Sequence, residues 1–209
     1  MPTLREARRG RLLNTRRNLG ERHMKPSPRN AVGRCLRLIA FLLASGIQPV
    51  LAASVNIVAF GASDTLGTGT GKSRGSGVAE SDAFPAQIEN LLRAKGIDAH
   101  VSNQGVPGDT TSGMLNRINS AVPPGTQIVL LEIPGGNDRK QQMSPAETDR
   151  NAAQIKSELG ARHIKVIYIG ATHNELLPPE ELNGDHPNKV WHTAMAMKLL
   201  PRVLAAARQ

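Results

Sequence analysis

The stretch VNIVAFGASDTLGTGTGKSRG, residues 55–75, decides the fold class of this chain. It opens with a short apolar run, residues 55–60, which passes into a turn rich in glycine, serine and threonine. A short run of mostly apolar residues predicts a strand buried on both faces, as in a parallel sheet. Ser63 therefore lies just beyond the carboxyl end of a strand, where open parallel sheets bind their ligands.

Strand and helix patterns alternate from this stretch to the end of the chain. We predict three more strands at residues 98–102, 127–133 and 164–169, and helices at residues 84–95, 111–118, 145–159 and 189–207. Alternation of this kind predicts an α/β fold with a mostly parallel sheet covered by helices on both faces.

The first 53 residues differ in composition from the rest and are typical of a targeting segment. Basic residues between positions 25 and 37 precede the apolar run LIAFLLA, residues 38–44, and small residues follow at positions 52–54. This order predicts a signal peptide cleaved after Ala52 or Ala53, with Met24 as the true start or, alternatively, an unusually long basic region. We expect an exported protein, periplasmic or secreted, with residues 54–209 as its mature domain and no membrane anchor after cleavage.

The charge of the chain is concentrated in that leader. Residues 1–53 hold 11 of the 26 Lys and Arg residues and 2 of the 17 Asp and Glu residues, which leaves 15 of each in the mature domain. A domain with balanced charge gives no support to nucleic-acid binding. The single cysteine, Cys35, also lies in the leader, so residues 54–209 contain neither a disulfide nor a thiol nucleophile.

Four polar clusters fall where the predicted sheet places a site. They are GASDT (residues 61–65), NQGVPGDTT (103–111), PGGND (134–138) and NGDHPN (183–188). In this order the four clusters resemble the sequence blocks of the SGNH (GDSL) hydrolases, and the resemblance covers residues 55–207. It implies a flavodoxin-like three-layer α/β/α sandwich and a serine esterase that needs no cofactor.

The resemblance also implies a role for individual residues. Ser63 occupies the place of the nucleophile, although Ala62 replaces the usual Asp before it. The backbone N–H groups of Ser63 and Gly108 and the side-chain amide of Asn137 correspond to the donors that hold the oxyanion. His186 corresponds to the general base, since an unperturbed histidine titrates near pH 6.5 and accepts protons at neutral pH.

The family pattern has an Asp three residues before the histidine, and this chain has Asn183 there. Three alternatives stay open: Asn183 orients the histidine through its carbonyl oxygen, Asp185 substitutes after a local shift, or Ser63 and His186 act as a dyad. Restoring Asp at position 183 is expected to raise the rate, because the carboxylate of a triad holds the imidazole in its working tautomer.

Two other functions are alternatives to that of a small-molecule esterase. Ala62 and Asn183 together would also suit a binding protein that kept the fold and lost activity. The segment GTGTGKS, residues 67–73, resembles a phosphate-binding P-loop, but Leu66 stands where the first glycine of that motif is required. We expect residues 67–77 to form a mobile loop beside the site instead. No cluster of histidines or carboxylates indicates a metal site.

Overall fold

The computed structural model describes residues 54–170 and 182–208. Its main element is a four-stranded sheet in the order β2-β1-β3-β4, in which every neighbouring pair is parallel. The strands are β1 (Val55–Gly61), β2 (Ala99–Gly105), β3 (Ile128–Glu132) and β4 (Lys165–Gly170). The predicted parallel sheet is confirmed.

Six α-helices and a small hairpin accompany the sheet in the described residues. The helices are α1 (Ser63–Leu66), α2 (Phe84–Ala94), α3 (Thr111–Ala121), α4 (Gly135–Lys140), α5 (Pro145–Ala161) and α6 (Lys189–Ala207). Strands β5 (Leu182–Asn183) and β6 (His186–Pro187) pair antiparallel. The three-residue turns Gly71–Ser73 and Glu80–Asp82 are 3₁₀ helices. Three long helices start at side-chain caps, namely Thr110, Ser144 and Asn188.

Helices cover both faces of the sheet, as the apolar strands predict. Ile57 and Ala59 of β1 face a core that α2 and α6 close, whereas Val58 and Phe60 face a second core closed by α3 and α5. Successive side chains of a strand point to opposite faces, so an apolar run needs two such cores. The molecule is therefore a three-layer α/β/α sandwich.

The structure departs from the predicted elements at the edge of the sheet where the strands end. β2 continues to Gly105 because its pairing with β1 stays in register up to Gly61. The short helices α1 and α4 and the β5–β6 hairpin were not predicted, since each is too short to show a period. All three lie at or near the carboxyl ends of the strands.

Two expectations concern membranes and export. In the described part of the chain, no helix is both long and apolar enough to cross a bilayer. The predicted signal peptide and its cleavage position fall in residues 1–53, outside the described residues.

Candidate active site

A cleft of about 840 Å³ opens at the carboxyl edge of the sheet. Five of the residues singled out in the sequence line it: Ser63, Gly108, Asn137, Asp185 and His186. They come from four separate segments, which meet because parallel strands end at the same edge. Residues that the sequence predicted to lie at one edge of the sheet therefore line a single cleft.

Ser63 is the first residue of α1, and a partly buried carboxylate fixes the turn that precedes it. Glu132, at the end of β3, accepts hydrogen bonds through Oε2 from the Ala62 amide (2.9 Å), the Thr65 amide (3.0 Å) and the Thr65 hydroxyl. Gly61 is required here, since a Cβ at that position would clash with Thr65 Oγ1 and with Glu132. The hydrogen bonds to Glu132 therefore set the direction in which the turn presents Ser63.

Two carboxyl groups beside Ser63 hold protons more tightly than usual. Burial and, to a smaller extent, the nearby charge of Asp64 raise the pKa of Glu132 to about 7, against the opposing effect of the donated hydrogen bonds. Burial likewise raises the pKa of Asp64 to about 6, while the charge of Lys140 opposes the shift. The sequence analysis missed Glu132, although an acidic residue in the apolar run QIVLLEI was a visible signal.

The Gly108 turn and Asn137 form the side of the cleft where the sequence predicts the oxyanion donors, and this side is called the oxyanion side below. Gly108 adopts a φ of 79°, which favours glycine, and Asn137 Nδ2 donates to the carbonyl of Asp109 at 2.9 Å. Among the described residues, the amides of Ser63 and Gly108 donate to no protein acceptor. These two N–H groups and the second hydrogen of the Asn137 amide are therefore available to a substrate oxygen.

Arg117 of α3 holds this turn against the sheet. Its guanidinium donates to the Asp109 carboxylate at 2.7 Å and to the carbonyls of Gly61 (2.8 Å) and Gln104 (3.0 Å), and it lies 4.7 Å from the centre of the Phe60 ring. One side chain thus joins the ends of β1 and β2 to the turn that carries Gly108.

Asp138 anchors the helix that carries Asn137. Its buried carboxylate accepts hydrogen bonds from the Thr111 amide (2.8 Å), the Thr111 hydroxyl (2.7 Å) and the Thr148 hydroxyl (2.7 Å). Because these donors belong to α3 and α5, Asp138 ties α4 to both helices on that face of the sheet. The position of Asn137 is therefore set by the core.

His186 lies on the opposite side of the cleft, on strand β6. Its Nδ1 is 2.7 Å from the hydroxyl of Ser76, a residue of the glycine-rich loop. The loop backbone packs closely on the imidazole, since a Cβ at Gly69 would come within 2.6 Å of His186 Cε1. The absence of a side chain at Gly69 therefore makes room for the histidine ring.

The two residues proposed to orient His186 instead contact that loop. Asn183 Nδ2 donates to the carbonyl of Gly77 at 2.6 Å, and Asp185 Oδ2 accepts from the Ser73 hydroxyl at 2.7 Å. The loop amides of Gly69, Ser73 and Ser76 donate to carbonyls of the loop itself, and that of Gly77 donates to Asn183. A phosphate-binding loop needs its amides directed at a ligand, so this geometry gives the P-loop interpretation no support.

The remaining histidines in the described residues lie outside the cleft. His192 is fully buried, accepts from the Phe84 amide at 3.3 Å and stacks on the Phe84 ring. Burial lowers its pKa to about 4, against a smaller effect of Asp82 that raises it, so it is neutral at pH 7. No group of three or more potential metal ligands occurs in the described part of the chain.

A parallel α/β/α sandwich with Ser63, Gly108, Asn137 and His186 at one edge of its sheet has the arrangement that defines the SGNH class of hydrolases. The profile of the GDSL-like lipase/acylhydrolase family matches residues 59–207. The chain belongs to this family, a class of ester hydrolases.

The chain is also similar to individual proteins and solved structures. Esterase TesA of Pseudomonas aeruginosa is 31% identical over 104 residues, and the match spans about half the length of each chain (49%). The solved structure of AlinE4, an SGNH-hydrolase family esterase, is 29% identical and covers 76% of this chain and 75% of its own, with a TM-score of 0.48. The psychrotrophic esterase EstA from Pseudoalteromonas sp. is 12% identical, has a TM-score of 0.54, and covers 74% of this chain and 99% of its own. That last likeness concerns the fold alone.

Proposed function

We propose that this protein is a serine esterase that hydrolyses small or short-chain carboxylic esters and thioesters through an acyl-enzyme. The observation that carries the proposal is the meeting of Ser63, Gly108, Asn137 and His186 around one cleft. A nucleophile, a base and oxyanion donors are the groups that acyl transfer requires.

In the first half of the reaction, Ser63 Oγ attacks the ester carbonyl carbon while its proton passes to Nε2 of His186. The tetrahedral intermediate then collapses, the bond to the leaving oxygen or sulfur breaks, and the leaving group takes the proton from the imidazolium. In the second half, His186 removes a proton from water, which attacks the acyl-enzyme and releases a carboxylic acid and free Ser63.

Ser63 and His186 line the same cleft, and the elements that carry them, helix α1 and strand β6, pack against each other. Catalytic hydrogen bonds are often long without substrate and shorten in the complex.

Negative charge on the carbonyl oxygen is stabilised by the Ser63 and Gly108 amides and by Asn137. Each donor of this kind contributes about 10²- to 10³-fold in rate. The donors need no reorganisation during the reaction, because Arg117 and Asp138 fix the segments that carry them.

The lining of the cleft supports a small or short-chain acyl group. The charged and hydroxyl side chains around it include Asp64, Thr70, Ser73, Arg139 and Lys140, whereas the apolar ones in the described residues are Pro107, Pro134 and Leu182. Long acyl chains need a continuous apolar surface, since each buried methylene contributes about 0.8 kcal/mol. We expect p-nitrophenyl acetate to be a better substrate than p-nitrophenyl decanoate.

The first test is the hydrolysis of p-nitrophenyl acetate by the full chain and by its Ser63→Ala variant. We expect turnover by the parent protein and the buffer rate for the variant. Ser157→Ala is the matched control, because Ser157 is an exposed residue of α5 away from the cleft, and it should keep full activity. A serine-directed phosphonate should label the parent protein and Ser157→Ala, and it should not label Ser63→Ala.

The opposite outcome would identify the alternative, a binding protein of the same fold. Such a protein would show neither turnover nor phosphonate labelling, and Ser63→Ala would leave its affinity for ligand unchanged. Ala62 and Asn183 favour this alternative, since both depart from the family pattern.

We also propose that residues 1–53 direct export and that residues 54–209 form the mature enzyme. Mass determination of the protein recovered outside the cytoplasm tests this, with cleavage expected after Ala52 or Ala53. An intact N-terminus on the exported protein would contradict it.

A further inference from the structure

We propose that Ser76 is the positioning residue for His186 and takes over the task that the family pattern gives to an Asp at position 183. This proposal rests on the proposed function, in which His186 is the base. It starts from one contact, the 2.7 Å hydrogen bond between Ser76 Oγ and His186 Nδ1.

The hydrogen-bond network fixes the direction of that contact. Ser76 Oγ also lies 2.6 Å from the carbonyl oxygen of Ser73, and a carbonyl can only accept. The single hydrogen of the hydroxyl therefore goes to Ser73, and its oxygen accepts from Nδ1–H of His186. In the neutral imidazole the lone pair is then on Nε2, which is the nitrogen that must receive the Ser63 proton.

The same contact stabilises the charged form of the base. When His186 takes the proton, both ring nitrogens become donors, and Nδ1–H keeps Ser76 Oγ as its acceptor. The hydroxyl is already polarised toward the imidazole because its own hydrogen is held by the Ser73 carbonyl. Ser76 thus provides, without a net charge, the orientation and part of the stabilisation that a triad carboxylate provides.

The loop around Ser76 is held by a reciprocal pair of hydrogen bonds to Asn183. The Gly77 amide donates to the Asn183 carbonyl at 2.8 Å, and Asn183 Nδ2 donates to the Gly77 carbonyl at 2.6 Å. A carboxylate has no hydrogen to donate, so only the amide side chain can make the second bond. Asn183 therefore positions the residue next to Ser76, which gives a reason for an amide at this place in the chain.

The test uses the full chain and p-nitrophenyl acetate, with Ser63→Ala as the background. Ser76→Ala should lower kcat about 10- to 100-fold, the range for one hydrogen bond to a charged group, and leave KM within about twofold. Ser76→Thr keeps the hydroxyl and should restore most of the rate. Thr68→Val is the matched control, because the Thr68 hydroxyl donates to the Ser76 carbonyl and not to the histidine.

The proposal is overturned if Ser76→Ala keeps the parent kcat, if Ser76→Thr is as slow as Ser76→Ala, or if Thr68→Val loses as much as Ser76→Ala. In that last case the loop alone, and not the contact with His186, would account for the loss.

A second measurement decides the matter without any turnover. Nitrogen-15 NMR of the imidazoles at pH 8, with the His186 signals identified by their loss in His186→Gln, should show the Nδ1–H tautomer in the parent protein. Ser76→Ala should shift His186 toward the Nε2–H form. An Nε2–H tautomer in the parent overturns the proposal. If Ser63→Ala retains activity, the proposed function fails, and the NMR result still decides the role of Ser76.

Discussion

The two sides of the cleft are held in different ways. The oxyanion side, formed by the Gly108 turn and Asn137, rests on Arg117 and on the buried Asp138, which bond into the sheet and into helices α3 and α5. The histidine side is the β5–β6 hairpin, in which the side chains of Asn183 and His186 contact the glycine-rich loop. One side takes its geometry from the core, and the other takes it from a loop.

This difference predicts how substitutions on each side affect the stability and the activity of the protein. Local opening requires little free energy where few apolar contacts are lost, and more where a core must open. We therefore expect substitutions on the oxyanion side to change both folding and activity. Substitutions on the histidine side should change activity with a smaller effect on folding.

The largest effect is expected from Asp138→Ala. Removing this carboxylate leaves the Thr111 amide and the hydroxyls of Thr111 and Thr148 without their acceptor, which should lower the free energy of unfolding by about 3–5 kcal/mol. Urea denaturation followed by circular dichroism measures it. Asp149→Ala, an exposed acidic residue of the same region, should stay within about 0.5 kcal/mol, and an equal loss in both variants would count against the anchoring role.

On the histidine side, the pair Gly77→Ala and Gly75→Ala separates backbone strain from contact. Both glycines have positive φ, 88° and 83°, but a Cβ at Gly77 would clash with the Gly67 carbonyl, whereas none at Gly75 meets an atom within 4 Å. We expect Gly77→Ala to lower kcat by about tenfold or more, since the neighbouring Ser76 must move. Gly75→Ala should cost about 1–2 kcal/mol of local strain and little activity. Equal kcat values in the two variants would show that the fit of the loop around His186 does not matter.

Glu132, which holds the turn before Ser63, should give the stability of the protein a characteristic pH dependence. Its pKa is raised to about 7 in the folded protein, so the folded state binds more protons than the unfolded state, and stability falls as pH rises from about 4.5 to 7. His192, whose pKa is lowered to about 4, acts in the opposite direction, and stability falls as pH drops from 6.5 toward 4.

The difference between the parent and Glu132→Gln removes the contribution of His192, which both proteins share. The free energy of unfolding of the parent relative to the variant should decline by on the order of 1–3 kcal/mol between pH 4.5 and 7. Urea denaturation at five pH values in this interval measures it. A difference that is constant with pH would mean that Glu132 has the same proton affinity in both states.

The smallest effect is expected from Asn183→Asp, and here the structure changes the expectation. The family pattern predicts a faster enzyme, whereas the carboxylate would face the Gly77 carbonyl and lose the bond that holds the loop. We now expect a kcat no higher than that of the parent and at most a few-fold lower. A tenfold rise would show that the side chain at position 183 turns to the imidazole.

Much of the fold followed from local patterns in the sequence. Apolar runs separated by amphipathic segments predicted the parallel sheet with helices on both faces, because a run of consecutive apolar residues indicates a buried strand. The position of each polar cluster relative to a strand then placed Ser63, Gly108, Asn137 and His186 at one edge. The residues that meet at the cleft were therefore readable before the structure.

The hydrogen bonds that hold the site could not be predicted from the sequence, because they join residues that are distant in the chain. Ser76 and His186 are separated by 110 positions, and neither a period nor a spacing relates them. Glu132 and Thr65 are 67 positions apart, and the turn before Ser63 depends on their contact.

The sequence by itself determined the order of strands and helices, the balanced charge of residues 54–209 and the identity of the candidate groups that meet at the cleft. The tertiary structure decided what holds those groups: Arg117 and Asp138 on one side, Ser76 and the loop clamped by Asn183 on the other. The physical reason is that a strand or a helix is specified by neighbours in sequence. A hydrogen bond between distant segments depends on where the whole sheet brings them.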